Sequence, residues 1–428
     1  MKIQRLLQNS FFQGSVAFTL SSFIINLLNY FFNLLVAKKL GPDGFGEISS
    51  MFAFIAIFSV PMTVMSMVLI QKIGQQKKHQ YAYASSLDRW FRSKIIHLRF
   101  PILAVCALFP LIQYATNLSP ITSAAILPLI IIGTVGTFYS SLLQGLHLLG
   151  WASIVGVVVV TIKLFGVLVP VGGSGELVSI VAALLLSSGS MVIIPQTILR
   201  NHFQATKHNV FHHTSRLRHV LHHRQVLITI ASLISITIIG NFDVVTAKRV
   251  MSPLNAGVYS SWGLFAKIIL YGLGPVLTMS YIFFSSKKNE SHHNRLLIIS
   301  LITLLGVGCF AYALYTFFGS LIVTRLFSVT FAPVVPFLPL ASIFGTLYAG
   351  VSLLNNYFLS RGSLYSLIMS VGVVPYIIAI VMSGRSLLTY MFANIIATGI
   401  IFIIQLSAVI QYNYARWKQS NHITSSVS

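Results

Sequence analysis

The chain has 428 residues, of which 56% are hydrophobic and 8% are charged, and its formal net charge is +22 at pH 7. A soluble domain carries roughly 25% charged residues, so this composition excludes a soluble globular protein and indicates an integral membrane protein. The whole chain contains six acidic residues. So few carboxylates argue against catalysis by a carboxylate pair. The sequence also has no Gly-rich loop of the kind that binds nucleoside triphosphates.

Long apolar runs recur along the chain, and they predict about twelve transmembrane helices, since about 20 residues in a helix cross the hydrocarbon core. An all-α integral membrane protein is therefore the expected fold class. The predicted spans are 12–37, 46–70, 95–116, 120–146, 151–171, 176–199, 225–247, 256–284, 296–319, 334–360, 363–383 and 387–413. Cys106 and Cys309 both fall inside apolar spans, so we expect buried thiols and no disulfide.

The positive charge is concentrated on one side of these spans. Nineteen of the 28 Lys and Arg residues lie in the termini and in the loops on that side, and six lie on the other. This bias predicts that the first side is cytoplasmic and that both termini are inside the cell. Basic loops attract anionic membrane lipids, which explains the charge without a nucleic-acid partner.

Two stretches about 210 residues apart are alike. The sequence of 29–50 aligns with that of 240–261, so that Pro42 meets Pro253 and Gly46 meets Gly257. An even number of spans in each repeat gives both repeats the same orientation, so they are parallel repeats. Parallel halves predict two six-helix lobes around a central cavity.

The repeat divides the chain into three segments. We expect an N-terminal lobe at 1–199, a basic cytoplasmic linker at 200–224 and a C-terminal lobe at 225–428. The linker contains a cluster of six histidines between 208 and 223, for which a solvated linker is the simpler interpretation and metal binding an open alternative, and we expect no cofactor.

Ionisable residues inside spans are costly and therefore candidates for function. Asp243 is the only acid that the sequence places clearly inside a span, and its repeat partner is Asn33. A buried carboxylate can bind a proton or a sodium ion, so Asp243 is the candidate ion-coupling residue. The alternative is a structural ion pair with Lys248 or Arg249.

Two lysines lie deep inside predicted spans with no acid at helical spacing. They are Lys163 in the fifth span and Lys267 in the eighth. An anionic substrate in a water-filled cavity would supply their missing partner, and pairing with Asp243 is the alternative. Asn29 and Asn33 share one face of the first helix, and we assign them with the two lysines to the substrate site.

The motifs resemble those of polysaccharide flippases in the multidrug/oligosaccharidyl-lipid/polysaccharide exporter superfamily. The similar segments are Leu-Gly-Pro-Asp-Gly-Phe-Gly at 40–46, Leu-Gln-Gly at 143–145 and Asn-Phe-Asp at 241–243 with the residues up to 259. The resemblance implies a non-enzymatic protein of the cytoplasmic membrane that moves polyprenyl-diphosphate-linked oligosaccharide between leaflets. The charges of Lys163 and Lys267 suit the diphosphate, and we expect a monomer.

Two other functions stay open. An ion-coupled multidrug efflux antiporter of the same superfamily would favour acidic residues in its cavity, and this chain offers one acid against two lysines. A membrane enzyme such as a sugar polymerase would favour a large outer loop with carboxylates, and the predicted outer loops are short and nearly free of acids.

The charge bias makes a topology prediction. Reporter fusions after residues 210 and 428 should both give a cytoplasmic signal, and a fusion near residue 173 should give an external one. An external signal at 210 would contradict the parallel arrangement of the halves.

Overall fold

The computed structural model describes residues 10–76, 79–172, 175–204, 224–274, 276–277, 280, 284 and 290–425, and the regular secondary structure within them is helical. The α-helices in chain order are α1 (Ser10–Gln75), α2 (Gln80–Cys106), α3 (Phe109–Thr116), α4 (Pro120–Gly145), α5 (Leu149–Leu168), α6 (Gly175–Gln204), α7 (Arg224–Ile239), α8 (Phe242–Val250), α9 (Pro253–Gly272), α10 (Glu290–Leu326), α11 (Leu338–Ser360), α12 (Ile368–Met382) and α13 (Leu387–Ser425). Short 3-10 helices at Val329–Phe337 and Leu364–Leu367 precede α11 and α12. The all-α membrane fold predicted from the sequence is confirmed.

Nine helical stretches among the described residues are long and apolar enough to cross a membrane. The first, Leu20–Gln75, has 56 residues. At about 1.5 Å per residue it is far longer than one crossing needs. It is broken at Gly41, whose φ of 66° and ψ of −173° lie outside the helical region. Helix α1, Ser10–Gln75, therefore contains the first two predicted spans.

Two predicted spans differ from the structure. The third, 95–116, is divided between α2 and α3 at residues 107–108, because Pro110 lies in the first turn of α3, where a helix starts rather than continues. The eighth, 256–284, corresponds to α9, which ends at Gly272, and its later residues are only partly described. The remaining predicted spans fall within the nine stretches.

The chain divides into two compact units. The N-terminal unit contains the described residues up to Gln204 together with Leu326–Ser328, and the C-terminal unit contains Arg224–Arg325 and the residues from Val329 onward. The histidine cluster and most of the predicted linker lie outside the described residues.

The local repeat is visible at its aligned prolines. In the N-terminal unit the helix breaks at Gly41, directly before Pro42. In the C-terminal unit α8 ends at Val250, and Pro253 opens α9 after Ser252, whose side chain accepts a hydrogen bond from the amide of Asn255. Both breaks use the fixed φ of proline to begin a new helix.

In the N-terminal unit a buried acid caps α4. Glu47 is 6% exposed, and its carboxylate accepts hydrogen bonds from the Ser119 amide (2.5 Å) and the Thr122 hydroxyl. A carboxylate at a helix N-terminus satisfies amides that have no partner within the helix. The expectation that Asp243 is the only acid inside a span is therefore wrong, since Glu47 lies within the stretch Leu20–Gln75.

The cysteines also correct an expectation. Cys309 is exposed on the surface of α10, and Cys106 is partly buried at the end of α2. Neither is a fully buried core thiol, because apolar spans that face lipid leave their outer side chains outside the helix bundle.

In the C-terminal unit α9 and α11 pack closely. A Cβ atom at Gly345 would overlap with the backbone carbonyl oxygen of Ala266. Small residues allow this approach between helices in a membrane, where van der Waals contact replaces the hydrophobic effect as the driving force. The contact fixes the part of α9 that carries Lys267.

Gly345→Ala should lower the stability of the C-terminal unit by about 1–3 kcal/mol, since overpacking forces the two helices apart. Gly399→Ala is the matched control, because its added methyl would only reach ordinary contact with Leu347 at 3.7 Å. Thermal unfolding in detergent measures both variants. Equal melting temperatures for the two would contradict the packing account.

Candidate functional site

The seventh predicted span is not continuous. Helix α7 ends at Ile239, and α8 begins at Phe242 after the turn at Gly240 and Asn241. Gly240 is required at this turn because a Cβ atom there would overlap with the Tyr348 hydroxyl. Interrupted helices expose backbone and polar groups in the interior of membrane transport proteins. The break places Asp243 in the first turn of α8, where the helix dipole favours negative charge.

Asp243 is 2% exposed and lies among polar side chains of neighbouring helices. The Tyr259 hydroxyl on α9 donates a hydrogen bond to Asp243 Oδ2 at 2.5 Å, and it accepts one from Asn394 Nδ2 on α13 at 2.6 Å. No hydrogen bond of good geometry reaches Asp243 Oδ1 from a described residue. The backbone amide of Val244 also interacts with this carboxylate, so Oδ1 is not isolated from polar groups.

Two further tyrosines extend this cluster. The Tyr376 hydroxyl on α12 lies 2.7 Å from Asn394 Oδ1 and 2.8 Å from the Ile239 carbonyl oxygen, and it can donate its one proton to either acceptor. The Tyr390 hydroxyl donates to the Asp243 carbonyl oxygen at 3.2 Å and contacts the Thr246 hydroxyl. We call Asp243, Tyr259, Tyr376, Tyr390 and Asn394 the Asp243 cluster.

Lys267 lies beside this cluster without forming an ion pair with it. Its Nζ donates a hydrogen bond to Asn241 Oδ1 at 3.0 Å, and Asn241 is the residue before α8. The side chain is partly buried in the same unit as Asp243. The predicted alternative, a direct pair between Lys267 and Asp243, is absent among the described contacts, and two donors of the ammonium group remain available.

Lys163 has a similar environment in the N-terminal unit. Its Nζ donates to Asn29 Oδ1 at 2.5 Å and lies 4.2 Å from the centroid of the Phe32 ring and 5.8 Å from that of Phe52. The Asn33 side chain donates to the Asn29 carbonyl oxygen at 2.9 Å. An amide oxygen and a ring face stabilise the ammonium group without neutralising it.

The structure thus brings Lys163 together with Asn29, and Asn33 is one turn away. It places Asp243 and Lys267 in the other unit. Sequence reasoning missed Tyr259, Tyr376, Tyr390 and Asn394, because aromatic residues in apolar spans are ordinary. Lys248, a proposed partner of Asp243, is buried on α8. In the described part of the chain, no group of three His, Cys, Asp or Glu side chains is placed to hold a metal ion.

Residues 11–287, more than half of the chain, match the sequence profile of a family described as "Polysaccharide biosynthesis protein". A search of curated proteins found no significant match to this sequence.

Solved structures with similar folds include two transporters and a flippase. An inward-facing multidrug resistance MATE family transporter of the MOP superfamily gives a TM-score of 0.67 at 14% identity, covering 91% of this chain and 96% of that one. The lipid II flippase MurJ, in an inward closed conformation, gives 0.62 at 15% identity, covering 92% and 87%. An outward-facing MATE transporter gives 0.63 at 15% identity, covering 97% and 98%. At these identities the likeness shows the fold.

Tyr259→Phe should destabilise the C-terminal unit by about 1–3 kcal/mol, because it leaves Asp243 Oδ2 and Asn394 Nδ2 without their shared partner. Tyr271→Phe, on the same helix but half exposed, is the matched control and should change stability little. The measurement is thermal unfolding of both purified variants. A Tyr259→Phe protein as stable as the control would show that the cluster does not depend on this hydroxyl.

Proposed function

Since the chain belongs to the polysaccharide biosynthesis protein family, we propose that it is a flippase that moves polyprenyl-diphosphate-linked oligosaccharide across the cytoplasmic membrane for surface polysaccharide synthesis. The protein carries out no bond-breaking step in this proposal. Its likeness in fold to the lipid II flippase MurJ supports movement of a lipid-linked substrate.

The observation that carries the proposal is a partly buried lysine inside a helix of each unit, held by an amide oxygen rather than by an acid. An ammonium group in an apolar bundle is costly unless a counter-charge arrives. The diphosphate of the substrate supplies that charge. Asn29 and Asn33, on the helix facing Lys163, add donors and acceptors for the sugar or phosphate oxygens.

The substrate is amphipathic, so its parts need different surroundings. The polyprenyl tail remains in the lipid, while the diphosphate and the sugars need polar groups across the apolar core. A site with a few polar side chains on mainly apolar walls meets this need. The basic loops attract anionic headgroups to the side of the membrane that we expect to be cytoplasmic.

Asp243 is the proposed coupling residue. Its carboxylate binds a proton or a sodium ion, and the energy of that ion's gradient drives the movement of the substrate. Two observations support this role. Asp243 is buried, and its Oδ1 has no hydrogen bond of good geometry from a described residue. The break between α7 and α8 also supports this role, because coupling-ion sites of transporters are typically formed at discontinuous helices.

The alternative is an ion-coupled multidrug efflux antiporter, and the likeness in fold to MATE transporters favours it. A cationic drug would meet Lys163 and Lys267 as like charges. We therefore prefer the anionic lipid-linked substrate.

Lys163→Ala and Lys267→Ala should each reduce surface polysaccharide several-fold while the protein stays in the membrane, because the counter-charge for the diphosphate is removed. Lys163→Arg keeps the charge and should retain part of the activity. Arg385→Ala, an exposed cation between α12 and α13, is the control for general loss of charge. Full polysaccharide export by the double lysine variant would remove these residues from the substrate site.

Asp243→Asn keeps the shape of the side chain and cannot bind a proton. We expect it to slow gradient-driven flipping in proteoliposomes and to blunt the response when the gradient is collapsed, at normal protein abundance. Thermal stability measured on the same preparation separates coupling from a structural role. A normal rate with a normal gradient response would exclude Asp243 as the coupling residue.

A further inference from the structure

A second group of buried polar side chains lies in the C-terminal unit, outside the Asp243 cluster. Ser232 on α7, Asn355 on α11 and Gln405 on α13 are each 0% exposed. The Ser232 hydroxyl donates to Asn355 Oδ1 at 2.6 Å. Asn355 Nδ2 and both amide atoms of Gln405 have no hydrogen-bond partner among the described residues. Burying such groups without a hydrogen-bond partner is unfavourable, so native proteins seldom do so.

Asn355 and Gln405 lie at the same depth in the unit. A Cβ atom at Gly350 on α11 would lie 2.6 Å from the Phe402 ring on α13, which sets the two helices side by side at that level. Further along, the Tyr357 hydroxyl donates to Asn413 Oδ1 at 2.9 Å. Both helices therefore run in the same direction, and Asn355 and Gln405 fall within about one turn of each other along the axis.

Helix α13 links this group to the Asp243 cluster. Asn394, Thr398 and Gln405 are four and seven residues apart, so they share one face of the helix. Thr398 is 0% exposed, and its hydroxyl has no partner among the described residues. Ile401 lies between Thr398 and Gln405 on this face and packs against Gly372 of α12. From Asn394 to Gln405 this face covers about three turns, and Ile401 is the apolar residue among its polar side chains.

We propose that Asn355, Gln405 and Thr398 bind a short chain of ordered water molecules, which gives Asp243 proton access from the end of the C-terminal unit where α7 begins. A water molecule needs two to four polar partners, and these side chains offer both donors and acceptors. Among the described residues, the titratable and charged groups along the route include Asp243, Tyr259, Tyr376, Tyr390, Tyr348 on α11 and Lys267 at one end, and Tyr357 at the other. The role of these water molecules in proton access rests on the proposed coupling role of Asp243. The existence of the water site does not depend on that role.

The water site is tested by hydroxyl-radical labelling of the purified full-length protein with radicals generated by radiolysis in place. Met369 is the reporter, because it is 0% exposed and lies on α12 one turn before Gly372, at the level of Gln405. Met51, equally buried in the N-terminal unit, is the reference. We expect Met369 to be labelled at least threefold faster than Met51, since bound water generates radicals beside it.

Gln405→Leu and Asn355→Leu, made separately, should each reduce the labelling of Met369 at least threefold and leave Met51 unchanged. Two independent variants keep the test valid when one fails to fold. Labelling of Met369 that is no faster than that of Met51, or that persists in the folded variants, would overturn the water site.

The role in proton access has its own measurement. Gln405→Leu should reduce proton-gradient-driven flipping at least threefold and leave the exchange of substrate between leaflets in the absence of a gradient unchanged. Asp243→Asn should lose the response to the gradient, while the labelling of Met369 stays normal. A Gln405→Leu protein with reduced labelling of Met369 and a full response to the proton gradient would overturn the role of the water molecules in proton access. No flipping by the wild-type protein would contradict the proposed function and leave the labelling result valid.

Discussion

The hydrogen bond between the Tyr259 hydroxyl and Asp243 is the contact on which the interior of the C-terminal unit depends. A carboxylate among apolar helices is tolerated only where other groups compensate its lost hydration. The Tyr259 hydroxyl, itself held by Asn394, donates a hydrogen bond to the carboxylate. The position of Asp243 in the first turn of α8 adds the favourable field of the helix dipole. The same contacts tie α8, α9 and α13 together. A change in the charge of Asp243 would therefore act on three helices at once.

The charges of Lys163 and Lys267 inside the helices are compensated differently from that of Asp243. Among the described residues, neither Lys163 nor Lys267 forms a direct ion pair with an acid, and each instead contacts the side-chain oxygen of an asparagine. The Asp243 carboxylate attracts Lys267 without touching it. An amide oxygen compensates part of the hydration but none of the charge. The Lys163 site thus keeps a positive potential that a structural ion pair would remove, whereas at Lys267 the nearby Asp243 offsets part of the charge. This residual potential is the property that makes an anionic substrate the better physical match.

Much of the architecture was predictable because hydrophobic length is a strong signal. The apolar runs located most spans and left gaps at 38–45 and 248–255, where the structure breaks the helix next to the aligned prolines Pro42 and Pro253. The prediction of one continuous span at 95–116 was wrong because a new helix starts at Pro110. Average hydropathy does not register this local effect. Glu47 was missed as a buried acid, since its partners at the start of α4 are more than 70 residues away in sequence. The partners of Asp243 were missed for the same reason, because Asn394 and Tyr390 approach it only through the packing of α13.

We propose that this protein carries an anionic lipid-linked oligosaccharide between leaflets. Purified protein in proteoliposomes, supplied on one side with a fluorescent polyprenyl-diphosphate oligosaccharide, tests it most directly. The account predicts transfer of the labelled lipid to the opposite leaflet, measured by its accessibility to an impermeant quencher, and slower transfer in the Lys163→Ala, Lys267→Ala double variant. Transport of a lipophilic organic cation without transfer of the labelled lipid would contradict it.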